Sequence, residues 1–303
     1  MLIENILING AILGGLYALL AFGFTLIYGV SGVVNLAHGA FFMIGAFIFS
    51  ALGPFLLSIL GPLGVTSTVI PLLALILAAI FVGIAGSIVY RLTIHPILGD
   101  EVAIMVVTIS VALIIQQLVL IGFGFSAPVT PFVSGSIKII GVSVTYMKIL
   151  AFVLSLGLFV GLWAFINYSK IGAAMRAVSQ DHEVAMLMGV NTETLYMLTM
   201  AISTAFATLA GVFFTSALLA GQAVPHMWLE PLWASFAIVV LGGLGSIKGT
   251  LVGAFIIAYV EHLVAAVFVS QGGVIVRAIP IATMVLILLV RPKGLFGKRI
   301  EME

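Results

Sequence analysis

From Asn5 to Tyr90 the chain carries no Asp, Glu, Lys or Arg. A hydrocarbon layer about 30 Å thick calls for helical runs of about 20 apolar residues, and this uncharged stretch has room for several. Over all 303 residues hydrophobic side chains make up 63% and charged ones 7%, against roughly a quarter charged in soluble domains. The expected fold class is therefore an all-α polytopic membrane protein. A transmembrane barrel would need segments of about ten residues with alternating polarity, which the sequence lacks. Glu4 without a basic start region, and no small-residue cleavage pattern after the first span, make residues 1–30 part of the working protein rather than a removable signal. With no cysteine, disulfides and thiolate metal sites are excluded.

Hydropathy predicts spans near 6–30, 38–60, 67–90, 102–122, 148–168, 194–219, 231–246, 249–269 and 274–291. The seventh has only Leu232 to Leu241 as a continuous mostly apolar run before Gly242, Gly243, Gly245 and Gly249, so a short or broken helix is expected there and the total is eight or nine. With nine, one face receives Arg91, Lys170, Arg176, Lys248, Arg291, Lys293, Lys298 and Arg299, and the other Lys138, Lys148 and Arg277. Basic residues mark the cytoplasmic face, so the N-terminus is expected outside and the C-terminus inside. The whole of 1–303 reads as one transmembrane domain.

Gly10, Gly14 and Ala18, and again Ser203, Ala207 and Gly211, repeat at four-residue spacing. Such faces let helix backbones approach closely in lipid, either as fixed packing or as a moving interface. Two Gly-punctuated pieces, 29–46 and 242–254, interrupt oily stretches in the two halves, the kind of echo that inverted repeats leave in transporters.

Missing chemistry narrows the mechanism. The only acid firmly inside an expected span is Glu261, followed by His262. Intramembrane carboxylates serve proton relays, so a secondary carrier built on this pair is one reading, and a polar contact holding helices together is the other. GGLGSIKGT at 242–250 lacks the spacing of a phosphate-binding loop, so any ATP must be brought by another subunit. His38, His95, Asp100, Glu101, His226, Glu230 and His262 are scattered and form no metalloprotease-like motif, so no catalytic residues are assigned. Asn35 and His38 are costly in hydrocarbon unless bonded; they either bridge broken backbone or line a path for water and solute.

Residues 169–193 crowd polar groups between two spans. Ser169 can cap a short amphipathic helix carrying Ile171, Ala174, Met175 and Val178. Asp181 can cap a second one that Gly189 stops, and Asn191 can cap the following span, with Glu193 in its first turn. Three caps predict a folded elbow, which either fits a groove on a soluble partner or floats at the lipid headgroups.

GGLYALLAFGFTLIYGVSGVVNLAHGAFFMIGAF at 14–47, GAAMRAVSQDHEVAMLMGVNTETL at 172–195, VLGGLGSIKGTLVGAFI at 240–256 and RPKGLFGKR at 291–299 together resemble the permease subunits of bacterial ATP-binding-cassette importers for branched-chain amino acids, and more narrowly the shorter of the two permeases in the heterodimer. The resemblance runs over nearly the whole chain. It implies a multi-pass subunit of the bacterial inner membrane that moves leucine, isoleucine and valine inward, with urea or short amides as the alternative solutes. It implies as partners a second, longer permease, two cytoplasmic ATP-binding subunits holding the ATP and magnesium, a periplasmic substrate-binding protein and the lipid bilayer, and no nucleic acid. This chain would bind no cofactor or metal itself. By the same resemblance the elbow is the coupling segment. Ala185, Leu187, Met188 and Gly189 would form a knob and its stop, and Arg176, Asp181 and Glu183 would orient it through charged contacts. Asn35, His38, Gly242, Gly243 and Gly245, with Glu261 and His262, would belong to the translocation path or support its broken helices.

Overall fold

The computed structural model describes residues 2–65, 69–267, 273–290 and 294–296. Its helices are α1 (Leu2–Ser31), α2 (His38–Leu60), α3 (Val69–Val89), α4 (Glu101–Phe123), α5 (Tyr146–Tyr168), α6 (Lys170–Gln180), α7 (His182–Leu187), α8 (Thr192–Leu218), α9 (Leu229–Gly242), α10 (Ile247–Val267) and α11 (Gly273–Val290). Seven of them are long and apolar enough to cross a bilayer, so the chain is an all-α polytopic membrane protein. α9, at the seventh expected span, has only 14 residues, about 21 Å at 1.5 Å per residue, and α11 has 18. Arg291, Lys293, Lys298 and Arg299 lie outside the described residues.

The most apolar window of α1 is 94% buried and that of α4 only 22%, so α1 is the axis of the bundle and α4 lies at its rim. A helix apolar all round belongs inside. Two ends can be told apart. At one end the short strands β1 (Ala127–Pro128) and β4 (Gln222–Ala223) pair antiparallel, tying the α4–α5 loop to the α8–α9 loop. Beside them β2 (Ser136–Ile139) and β3 (Val142–Thr145) form a hairpin, which an apolarity pattern alone did not mark. The opposite end carries α6, α7 and the α9–α10 corner, which share one cleft.

α1 begins at the hairpin end, where the Lys148 ammonium donates to Asn9 Oδ1 at 2.9 Å, and finishes at the elbow end. The chain then turns back through the non-helical segment 32–37, and α2 starts at mid-depth beside Leu20 and Ser203. α9 does the converse: it starts beside the first turn of α2, and ends at the elbow end. A Cβ on Gly39 would lie 2.8 Å from the Trp228 carbonyl oxygen, so this meeting of two helix starts requires glycine.

The packing partners repeat with direction reversed. α10 lies along α1, with Gly10 against Tyr259 and Gly14 against Phe255. α3 lies along α8 in the same manner, with the Ser87 hydroxyl donating to the Met197 carbonyl at 2.9 Å and Gly83 against Ala201. α1–α4 and α8–α11 thus form an inverted pair. The structural counterpart of 29–46, which runs from the last turn of α1 into α2, is the stretch from the last turn of α8 into α9; the Gly-rich piece 242–254, expected as the echo, is instead the corner joining α9 to α10.

Candidate functional site

Two regions gather the polar groups, one at mid-depth and one at the elbow end.

At mid-depth the break before α2 is held by a buried polar knot. Asn35 Oδ1 accepts the Ala37 N–H at 3.0 Å, an Asx-type turn that starts the helix, while its amide reaches Met200 Sδ at 3.4 Å. The Leu36 N–H donates to Thr108 Oγ1 at 3.2 Å. His38, fully buried, sets Nε2 3.0 Å from the Leu20 carbonyl oxygen and Nδ1 3.3 Å from Ser203 Oγ. Ser203 in turn donates to the Gly23 carbonyl at 2.7 Å. One imidazole therefore joins α1, α2 and α8. A Cβ on Gly23 would come within 2.9 Å of the His38 ring and 3.0 Å of the Ser203 carbonyl oxygen, so the close crossing of α1 and α8 depends on that glycine. Both small-residue stripes are helix contacts: Gly10 and Gly14 face α10, and Gly211 faces the Phe42 backbone.

The partners of this knot were not singled out from sequence as polar groups. Ser203 stood in a small-residue stripe, Thr108 in an unmarked apolar run, and a helix carbonyl such as that of Leu20 leaves no mark in a sequence. The same holds for the hydroxyl pair Thr25 and Thr250, 2.6 Å apart between α1 and α10, and for the Trp228 indole donating to Gln116 Oε1 at 2.6 Å.

Glu261 and His262 do not touch this knot or each other. Adjacent helix residues point about 100° apart. Glu261 accepts from the Tyr17 hydroxyl at 3.1 Å, and His262 Nδ1 lies 3.2 Å from the Ala258 carbonyl of its own turn. The expected Glu261–His262 contact is thus replaced by an α10–α1 contact.

At the elbow end all three expected caps form. Ser169 Oγ accepts the Gly172 N–H at 2.9 Å, Asp181 Oδ1 accepts from Glu183 and Val184 at 3.0 Å each, and Asn191 Oδ1 accepts from Thr194 at 3.0 Å. Gly189 takes φ +86°, and the Val190 N–H returns to the Ala185 carbonyl at 3.1 Å, the left-handed stop that favours glycine. On α6, Met175 and Val178 face inward while Ile171 is exposed. Ala185 is buried beneath α7, whereas Leu187 is 85% and Met188 80% exposed. Arg176 turns inward and donates to the Ile166 carbonyl near the end of α5, so its guanidinium braces the elbow against α5. Asp181 and Glu183 stay exposed.

Beneath the elbow opens a cleft of about 830 Å³. Its walls are the end of α1 (Tyr28, Gly32), the α6–α7 junction (Asp181, Glu183), Tyr196 of α8 and Gly245 of the α9–α10 corner. Gly243 and Gly245 take φ +96° and +79° there, and Gly242 packs backbone to backbone on Gly249, so these glycines build the corner. Among the described residues no group of acids and histidines could hold a metal ion.

Residues 6–290 match the family model described as branched-chain amino acid transport system, permease component. The chain is 32% identical to the high-affinity branched-chain amino acid transport system permease protein BraD of Pseudomonas aeruginosa, over 96% of this chain and 95% of that one. It is 29% identical to the high-affinity permease LivH of Escherichia coli, over 96% and 94%, and 27% identical to a probable LivH of Methanocaldococcus jannaschii, over 97% and 93%. No solved structure matches. A bundle of membrane-length helices with a buried knot at its broken centre and a capped elbow at one end, matched along nearly its whole length, belongs to the family of branched-chain amino acid transport permeases.

Proposed function

We propose that this chain is the permease through which an ATP-driven importer of the bacterial inner membrane carries leucine, isoleucine and valine into the cytoplasm, and that the α6–α7 elbow is where ATP hydrolysis in separate subunits acts on it. The observation that carries the reading is the elbow itself. It is capped at both helices, stopped by Gly189 and braced by Arg176, yet it presents Leu187 and Met188 outward. Two large apolar side chains held in fixed positions suit a pocket on a partner, since burying each stabilises by about 1.5–3 kcal/mol.

The elbow end is then cytoplasmic, the N-terminus outside and the C-terminus inside, in keeping with the basic residues Arg91, Lys170, Arg176 and Lys248 at that end. The assembly pairs this chain with a second permease and two ATP-binding subunits, and a substrate-binding protein docks on the hairpin end. Closure of the ATP-binding subunits shifts α7. The shift reaches the end of α1 and the α9–α10 corner, because all three share the walls of one cleft. Driving force arises only if the partners bind one conformation of the elbow more tightly than the other. Asn35 and His38 hold the break from which α2 starts, and the external binding protein selects the solute, so a mostly apolar path suffices for an aliphatic amino acid.

The test is reconstitution of the full complex in vesicles with labelled leucine. Uptake that requires ATP and the external binding protein supports the reading; uptake by this chain alone, without ATP, defeats it.

A further inference from the structure

The inverted pair is incomplete on one side. α5 runs parallel to α1 and packs on it: Lys148 meets Asn9, Phe152 presses on Gly15, and the Phe159 ring lies 4.4 Å from that of Phe22. The offset that relates Gly10 to Met197 and Gly14 to Ala201 carries Gly15 onto Ile202 and Phe22 onto Leu209. Among the described residues no such helix lies over these two positions of α8. They form the floor of an apolar groove of about 510 Å³, walled by Ile76 and Ile80 of α3 and by Leu154 and Leu158 of α5. Ile76 and Ile80 are 48% and 52% exposed.

We propose that this groove seats a transmembrane helix of the second permease, lying parallel to α8 in the place that α5 takes on α1. The proposal rests on the assembly with a second permease put forward above. The internal symmetry says what fits: an apolar helix running from the elbow end to the hairpin end. The groove chemistry agrees, because its lining residues named here offer no charge or hydrogen-bonding side chain. Gly83, Ala201 and Ala205 keep it deep enough for side chains to enter, and in lipid such van der Waals fit, rather than water exclusion, drives helix association.

Because the chain has no cysteine, Ile76→Cys and Leu158→Cys give single attachment points, with Ile121→Cys on the exposed side of α4, 82% exposed and outside the groove, as control. The full complex is extracted from membranes, labelled with a benzophenone maleimide, irradiated, and its crosslinked peptides sequenced. The expected result is crosslinks from both groove positions to one apolar helix of the second permease, at least tenfold above the Ile121 control. Ala205→Trp, which fills the groove, should lower co-purified second permease at least tenfold while the variant still elutes as a single peak. Crosslinks only to lipid, to a second copy of this chain, or to nothing, in a preparation that does contain the second permease, would overturn the inference and leave the proposed function standing. A wild-type preparation lacking the second permease would remove the proposed assembly and this inference with it. Should Ala205→Trp fail to fold, the crosslinks alone decide.

Discussion

His38 shows how one residue can fix a helix break. Its two ring nitrogens lie against the Leu20 carbonyl and the Ser203 hydroxyl, so removing the ring opens a cavity where α1, α2 and α8 meet. Emptying a buried site of this size costs about 2–5 kcal/mol. His38→Ala is therefore expected to lower the melting temperature of the purified chain in detergent and to reduce uptake through lost folded protein. A residue that only touched solute would change KM and leave melting where it was. Gly23→Ala should act alike, by about 1–3 kcal/mol of overpacking, because its new methyl meets the same ring. The polar residues of this knot could be flagged in the sequence because Asn and His are rare in oily runs. Their partners could not, since serine and threonine in membrane helices commonly bond back to their own turn, as Thr199 and Thr208 do here.

Among the elements, the elbow was the most legible. Ser169, Asp181 and Asn191 cap where their spacing said, for a cap depends only on residues two or three further along. Replacing Asp181 by Ala removes two N–H partners at once and is expected to cost about 1 kcal/mol. Hydrogen exchange should then speed up at the Glu183 and Val184 amides, with α8 unaffected; unchanged exchange would show that the cap does not hold α7. The inward turn of Arg176 and the burial of Ala185 were not legible. Which way two such short helices face depends on what α5 places beneath α6 and α8 beneath α7, and the sequence of the elbow carries no record of that. Ala185 thus acts as the foot of the knob, with Leu187 and Met188 as its face.

On the scale of the molecule, each of the nine expected segments contains a described helix and seven of these helices are long enough to cross a bilayer, because membrane thickness imposes a length that hydropathy reads directly. An inverted repeat was hinted at by its Gly-punctuated breaks, but which segments correspond was not legible: the halves share packing partners rather than residues, Gly10 answering to Met197 and Gly14 to Ala201, and in a chain so uniformly apolar no pattern separates a helix-facing side from a lipid-facing one. The same layout bears on the carrier alternative. Glu261 is bonded to Tyr17 between α10 and α1, apart from the mid-depth knot, so Glu261→Gln is expected to leave the pH profile of leucine uptake unchanged, and a shifted profile would place that carboxyl in the path. In the proposed function the bundle takes its driving force through two side chains of α7. ATP-dependent leucine uptake by the reconstituted complex carrying Leu187→Asp and Met188→Asp together tests this: uptake at least tenfold lower is expected with the permease folded and inserted, and uptake at the wild-type rate would contradict it.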